Sequence, residues 1–552
     1  MECSVPQQLL ARLASLRAER SLFEADWRSL AEFILPRNGR WLESQTNKPQ
    51  PKSNKILNTR ATLDMRSLAA GLAAGVSSKA RPWFHLGTPS KKLNKREDVK
   101  IWLFEVESIL REAMNRSNFY SSMHQLYEEL GLFGCSAMIL DEHEEKTVHC
   151  RTLTAGEFFF ALGADDTVNS LYRTLQMTVA QLVERFTLAA CSPPVQQAWR
   201  EHQHDRQVKV LHVIEPNDLR DWNSPGPAGM AWRSAWMELE GHCDKFLKLS
   251  GYHSKPFIAP RWHVLGGDAY GRGPGHDILP DVQSLQTMEK WKAKAVAKKV
   301  DPPLLGPSSL KNQVINNVPG GVTYVDLTNS PNGFRSVYDV QLQTGELRQD
   351  IAEMEARIRS GLFVDLFLMI SNDQRSDITA AEIAARQEEK MMMIGPVLER
   401  LHDEALGPAI DRIFETCQRD GKLPPPPPDL NGVELQVEYI SILAQAQKAL
   451  ATRGIERTIG FVGNLAQSNP AVLDKLDCDA AVDAYVDAIG TPPMLIRSAD
   501  AVAAIRQQRQ DALDQQAQRE QLMQAAQGAE LLSKTDTRSG NALNALLTGR
   551  LT

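Results

Sequence analysis

Two helix-forming segments that bracket a short, turn-rich insert constrain this chain more than any other feature. In the first, from about Ile278 to Val300, the residues Ile278, Val282, Leu285, Met288, Trp291 and Ala295 recur every three or four positions and form one stripe. Pro280 suits a first helical turn, and Asp281 suits the positive end of the helix. At 1.5 Å per residue this rod is roughly 30–35 Å long. The second segment, QLQTGELRQDIAEMEARIRSGLF, predicts a rod of about the same length. Between them, residues 301–337 hold turn chemistry (NNVPGG, NSPNGF) around one predicted strand, GVTYVDL. Two matched rods flanking such an insert run out and back, with the insert at the far tip.

The first rod is preceded by GGDAYGRGPG at 266–275, with five glycines and a proline in ten positions. Glycine-rich turns that open helices often cradle phosphates, but Gly271, Gly273 and Gly275 alternate and do not match G-x-G-x-x-G. No lysine reaches back, no acidic partner completes a βαβ unit, and no P-loop occurs in the chain. The other reading is a hinge, in which glycine supplies backbone angles that other residues avoid.

Charge differs between the rods. The first carries Lys290, Lys292, Lys294, Lys298 and Lys299, with no acidic residue beyond Glu289; the second mixes Glu346, Asp350, Glu353 and Glu355 with Arg348, Arg357 and Arg359. Such faces are either solvated and salt-bridged, or a ring of charge that faces a polyanion when the chain is repeated in an oligomer.

At 552 residues the chain exceeds one ordinary core. Helical periodicity dominates the first 134 residues. From about residue 136, short aromatic and β-branched segments (EFFFAL, NSLYRTLQMT, QVKVLHVI, AWRSAWMEL, DKFLKLSGY) predict antiparallel strands, interrupted by the helix TVAQLVERF. Alternation places His212 on an apolar face, as a satisfied core histidine. After the second rod come an apolar run at 362–370 and the polar loop SNDQRSD. A helix then starts at the Thr379–Glu382 capping box, and Gly395-Pro396 and Gly407-Pro408 should each bend it. The stiff connector GKLPPPPPDLNG precedes a helical final quarter that turns rich in Gln and Ala. A helix that polar is marginal alone, and is either ordered by neighbouring subunits or frayed.

No catalytic constellation emerges. His202 and His204 in EHQHD sit two apart, which fits no helical zinc motif, and read as a polar turn; DEHEE at 141–145 reads as turn and surface charge. G-x-S-x-G and H-E-x-x-H are absent. No metal or cofactor is expected. Seven scattered cysteines without CxxC spacing predict reduced thiols. The N-terminus lacks a signal-peptide core, and the longest apolar run, 361–370, is too short for a membrane span and carries Asp365.

With these motifs in view, the chain resembles the portal proteins, or head-to-tail connectors, of short-tailed phages. The likeness is densest in YRTLQMTVAQLVERF, RWHVLGGDAYGRGPGHDILPDVQSLQ, ITAAEIAARQEEKMMMIGPVLERLHDEALGPAIDRIF, GKLPPPP and YISILAQAQKA. One departure is Asp268, where the family more often has Glu. The resemblance implies an α+β, mainly helical portal fold assembled as a dodecameric ring at one capsid vertex. Residues 1–275 would form the wing, 276–300 and 338–360 the stem, 301–337 the clip and 361–378 the tunnel loop. Residues 379–432 would be the bent wing helix and Pro-rich connector, 433–500 the crown, and 501–552 a C-terminal helical barrel or tail. It further implies passage of double-stranded DNA, non-specifically, during packaging and ejection. Its partners would be the major capsid and scaffolding proteins, the terminase large subunit and tail adaptors. The place would be the virion, after assembly in host cytoplasm.

Lys290, Lys294, Lys298, Asn372, Asp373, Gln374 and Arg375 are then candidates to face the DNA, Gly271, Gly273 and Gly275 the hinge, and Thr379 with Glu382 the cap after the tunnel loop. Two other readings remain at this point: a nucleotide-dependent enzyme using 266–277, and a helical scaffold or adaptor without DNA passage.

Overall fold

The computed structural model describes residues 5–40, 55–90, 92–224, 226–240, 245–300, 304–305, 335–336, 344–366, 394–430, 432–440, 442–466, 475–489, 497 and 499–533. The fold mixes helices and strands in two compact units, one of which holds most of the chain.

In the larger unit, α1 (Val5–Phe33), α2 (Arg60–Gly75) and α4 (Phe119–Phe133) appear where the helical period predicts them; α3 (Glu97–Arg116) is likewise as expected. A five-stranded antiparallel sheet follows, ordered β4 (Phe158–Leu162), β5 (Val168–Thr178), β6 (Gln207–Pro216), β7 (Trp232–Glu238), β8 (Lys248–Tyr252). Period-2 alternation gives this sheet two apolar faces. Leu211 and Val213 pack with Leu9, Leu13 and Leu16 of α1 on one side. Val208 and Val210 pack on the other with α5 (Val179–Phe186) and α6 (Pro193–Arg200). A reciprocal capping box starts α5: Thr178 Oγ1 accepts from Gln181 N, and Gln181 Oε1 accepts from Thr178 N.

Three pairings were not legible in the sequence. β2 (Ala137–His143) and β3 (Thr147–Leu153) form a hairpin, and β9 (Phe257–Ile258) joins β2. The acidic run DEHEE is therefore a strand end, and it is more than surface charge. Glu142 takes the guanidinium of Arg412, whose side chain is fully buried, at 2.6 Å, and that of Arg419 also at 2.6 Å. The third pairing joins β1 (Phe84–Gly87) to β12 (Gln436–Tyr439), far apart in the chain.

α7 spans Pro274–Val300, 27 residues, and the described part of the second rod, α8, spans Thr344–Gly361, 18 residues. Of the insert, β10 (Leu304–Leu305) and β11 (Arg335–Ser336) pair antiparallel, which brings its two ends together as an out-and-back path requires. The predicted strand GVTYVDL, the Thr379–Glu382 cap and Asn372–Arg375 lie outside the described residues. Residues 394–401 are helical, His402–Leu406 form a π-turn, and α9 runs from Gly407 to Arg419. The π-turn sits directly before Gly407-Pro408, where the missing proline N–H was expected to disturb the ladder.

α10 (Ile442–Ala466) leads from the larger unit into the smaller one. In the smaller unit, α11 (Cys478–Ile489) and α12 (Ala499–Ser533) follow. α12 leaves Leu513, Leu522 and Met523 exposed, in keeping with a helix too polar to bury a face of its own.

One buried acid sets a pH dependence. Glu129 accepts from Thr154 Oγ1 at 2.8 Å, from Asn38 Nδ2 at 3.1 Å and from Ala155 N at 3.2 Å. Burial nevertheless dominates and pushes its carboxyl up to about 8. The folded state then holds a proton that the unfolded chain releases, so stability is greatest below the unfolded value near 4.5 and falls as pH rises toward 8. Glu129→Gln is expected to flatten this decline, at about 1.4 kcal/mol for each tenfold change in proton affinity removed. Chemical denaturation across that pH range checks it.

Candidate functional site

The glycine-rich stretch is where the two rods are anchored. Gly134 closes α4 in the left-handed region at φ 74°, where only glycine is comfortable. The 271–275 segment crosses directly over that end. A Cβ on Gly134 would stand 2.4 Å from Gly273 N, one on Gly271 2.5 Å from Gly134 O, and one on Gly275 2.3 Å from Leu132 O. None of Gly271, Gly273 and Gly275 has a positive φ. The expected reason for these glycines is thereby corrected: the chain needs room there, and it does not need unusual angles.

The crossing also answers the phosphate question. The groups that meet these glycines include the carbonyl oxygens of Leu130, Leu132 and Gly134, which repel an anion, and they fill the space that a phosphate would occupy. The amide of Gly273 is spent on His276 Nδ1 at 3.2 Å. His276 is accordingly held neutral by burial, its ring pushed down to about 4. The alternating Gly271, Gly273 and Gly275 therefore offer no phosphate cradle.

Neighbouring residues lock the crossing. Tyr270 enters the core between Trp27 (5.2 Å, edge-on) and Phe160 (5.5 Å, stacked), and its hydroxyl accepts from Phe160 N. Arg261, 5% exposed, pairs with Glu404 at 2.6 Å and donates to the carbonyls of Asp166 and Asp268. Trp262 N donates to Gly134 O at 2.8 Å.

From this base α7 and α8 pack against each other, and α8 also lies on α2. Ile278, Val282 and Leu285 are buried in α7; Ile351, Ile358 and Leu362 are the buried stripe of the second rod and its exit. Two amides knit the pair. Gln286 Oε1 accepts from Leu57 N (2.7 Å) and Asn58 N (2.8 Å), its Nε2 donates to Asn58 O, and Asn58 Nδ2 donates to Glu355 of α8 at 2.8 Å. Nothing in the sequence marked Gln286, which follows Leu285 of the apolar stripe and looks like its polar neighbours Gln283, Ser284 and Thr287. Gln286→Leu is expected to remove the acceptor of two part-buried amides and cost about 1–3 kcal/mol in all; thermal unfolding of the full chain measures it.

Beyond Gln286 the first rod changes character. Trp291, Val296 and Val300 stand exposed, as do Lys290, Lys294 and Lys298. Lys292 pairs with Glu289, while Lys290 and Lys294 make no ion pair among the described residues. The structure therefore brings three of the seven candidate DNA-facing residues onto one helix. Among the described residues no group of His, Cys, Asp and Glu could hold a metal, and no helix is long and apolar enough to cross a membrane.

Comparison with known proteins follows the same line. A family model described as bacteriophage head to tail connecting protein matches residues 6–496. A "Probable portal protein" of Bordetella phage BPP-1 is 41% identical over 535 residues, 97% of this chain and 96% of that protein. The "Portal protein" of Salmonella phage epsilon15 is 39% identical over 545 residues, 98% and 97% of the two chains. Two solved structures are similar at low scores: the neck of an empty GTA particle (TM-score 0.34, 12% identity, 76% of this chain and 90% of that one) and the virion of a native gene transfer agent particle (TM-score 0.33, 13% identity, 82% and 93%). At those scores they add nothing to the argument.

Proposed function

The chain belongs to the bacteriophage head-to-tail connecting protein family, and from that premise we propose that it is a portal subunit, structural and without catalysis of its own. Twelve copies close into a ring at one capsid vertex, and α7 and α8 of each copy, within 276–300 and 338–360, wall a channel for double-stranded DNA. Residues 1–275 form the wing and 301–337 the clip, which meets tail adaptors and, earlier, the terminase motor. Residues 361–378 enter the channel as a loop, 379–432 return through the bent helix and Pro-rich connector, and 433–552 build crown and tail. The ring assembles in host cytoplasm with capsid and scaffolding proteins and remains in the virion.

The observation that carries this reading is the outer half of α7. A helix that exposes Trp291, Val296 and Val300 is incomplete in a single copy, and copies packed side by side would cover them. A channel must let DNA slide, whereas many lysine–phosphate contacts would hold it in a salt-dependent grip. Twelve copies at −6 give roughly −70, a field that opposes adhesion. Lys290, Lys294 and Lys298, or Arg375 in the loop, then guide phosphates without trapping them. Lys290→Glu combined with Lys294→Glu should leave rings intact and lower DNA packaging; unchanged packaging and ejection would remove the guiding role.

Gly271, Gly273 and Gly275 serve in this reading as the junction where the chain leaves the wing for the stem. Their packing supports a fixed joint over a loose hinge.

A further inference from the structure

The five-stranded sheet carries a second polar feature that the rods do not use. On its α5–α6 face one row crosses three strands: Arg173 of β5 stands opposite His212 of β6, and His212 opposite Trp236 of β7. The His212 ring stacks on Trp236 with centroids 3.8 Å apart, and its Nε2 lies 3.0 Å from Ser234 Oγ. Arg185 of α5 lies over the same Trp236 ring, its guanidinium carbon 4.3 Å from the centroid. Arg151 of β3 acts electrostatically on Arg173, Arg185 and His212. His212 is held neutral first by burial and then by Arg173, Arg185 and Arg151.

Three cations thus act on one another at a seam beside this row, and among the described residues none of them makes an ion pair or a side-chain hydrogen bond. The nearby acids act on Arg173 through space but give their hydrogen bonds to other groups: Asp141 accepts from Tyr252 Oη at 3.1 Å, and Glu157 pairs with Arg40 at 2.8 Å. Arg173 is only 8% exposed, and its Nε is buried without a partner, as is His212 Nδ1. A buried guanidinium normally finds an acceptor, because leaving one unpaired is costly. Arg185 is exposed and Arg151 half-buried, so the seam opens to solvent.

We propose that this seam binds a phosphate group, with Arg173 donating from inside and Arg151 and Arg185 closing on it from outside. The planar forks of arginine suit a tetrahedral oxyanion, and three positive charges match a phosphate dianion better than a lone carboxylate. The site is separate from α7 and α8, and its fate is independent of the channel reading.

The test is thermal unfolding of the full-length protein with inorganic phosphate exchanged for chloride at constant ionic strength. The midpoint should rise saturably with phosphate. Arg151→Gln combined with Arg185→Gln, both at the seam's solvent side, should require about tenfold more phosphate for the same rise. Arg173→Met should abolish the response and raise the phosphate-free midpoint, because it removes an unpaired buried charge. If that variant fails to fold, the double variant decides alone. A phosphate response equal in wild type and double variant, or no response in wild type, overturns the proposal. Short duplex DNA that suppresses the phosphate response would identify backbone phosphate as the natural source; DNA without effect would identify the free ion.

Discussion

Gly275→Ala and Gly134→Ala should each yield protein that fails to fold stably, while Gly267→Ala, eight positions before Gly275, should behave as wild type. A Cβ at Gly275 would stand 2.3 Å from Leu132 O, and one at Gly134 within 2.5 Å of three backbone atoms of residues 271–273. Backbone cannot swing aside as a side-chain tip can, so overpacking here should cost about 3–5 kcal/mol, a large share of a domain's stability. At Gly134 the left-handed φ of 74° adds to the penalty. Gly267 has nothing within 4 Å of its Cβ position and should change by no more than about 0.5 kcal/mol. Soluble yield and denaturant midpoints of the three variants check the contrast. Equal tolerance at all three sites would show that the crossing of α4 by the 271–275 segment is not close-packed.

Arg261→Met should be nearly as damaging, by a different route. Arg261 joins three parts of the larger unit: Glu404 in the π-turn, the Asp166 carbonyl in the β4–β5 turn, and the Asp268 carbonyl in the glycine-rich stretch. Removing the guanidinium leaves the largely buried Glu404 carboxylate with the residue-261 backbone N–H as its remaining donor and no ion pair, and strands two carbonyls, at about 3–5 kcal/mol. Arg261→Lys should rescue little, since one ammonium cannot reproduce the fork that reaches all three. Arg261→Met with Glu404→Gln should recover part of the loss, because the buried charge goes with its partner. Denaturant unfolding of wild type, Arg261→Met, Glu404→Gln and the double variant forms a double-mutant cycle whose coupling energy should be large.

Much of this architecture was legible from periodicity. The apolar stripes of α1, α4 and α7 and the alternation in β6 are local signals, and they placed those elements and the core histidine. What stayed hidden depends on distant partners. Glu142 looks like surface charge until Arg412, 270 positions later, is folded against it. β1 has four residues and finds its partner only at Gln436–Tyr439. The glycines of 271–275 were conspicuous, but their purpose is steric and lies in the end of α4, to which no spacing rule connects them. Gln286 and Asn58 gave no signal at all, because an amide that reads two backbone N–H groups looks like any polar surface residue. The lysines of the first rod were visible as a charge bias, and their exposure in one copy is consistent with either of the readings left open by the sequence.

The account rests on α7 and α8 standing side by side with their counterparts from other copies. Single-particle imaging of the assembled full-length protein tests this directly. The expected result is a closed ring with a central opening wide enough for duplex DNA, α7 at its wall and Trp291, Val296 and Val300 covered by a neighbouring copy. Solid particles, or a ring in which α7 lies away from the opening with those three residues still in solvent, would contradict it.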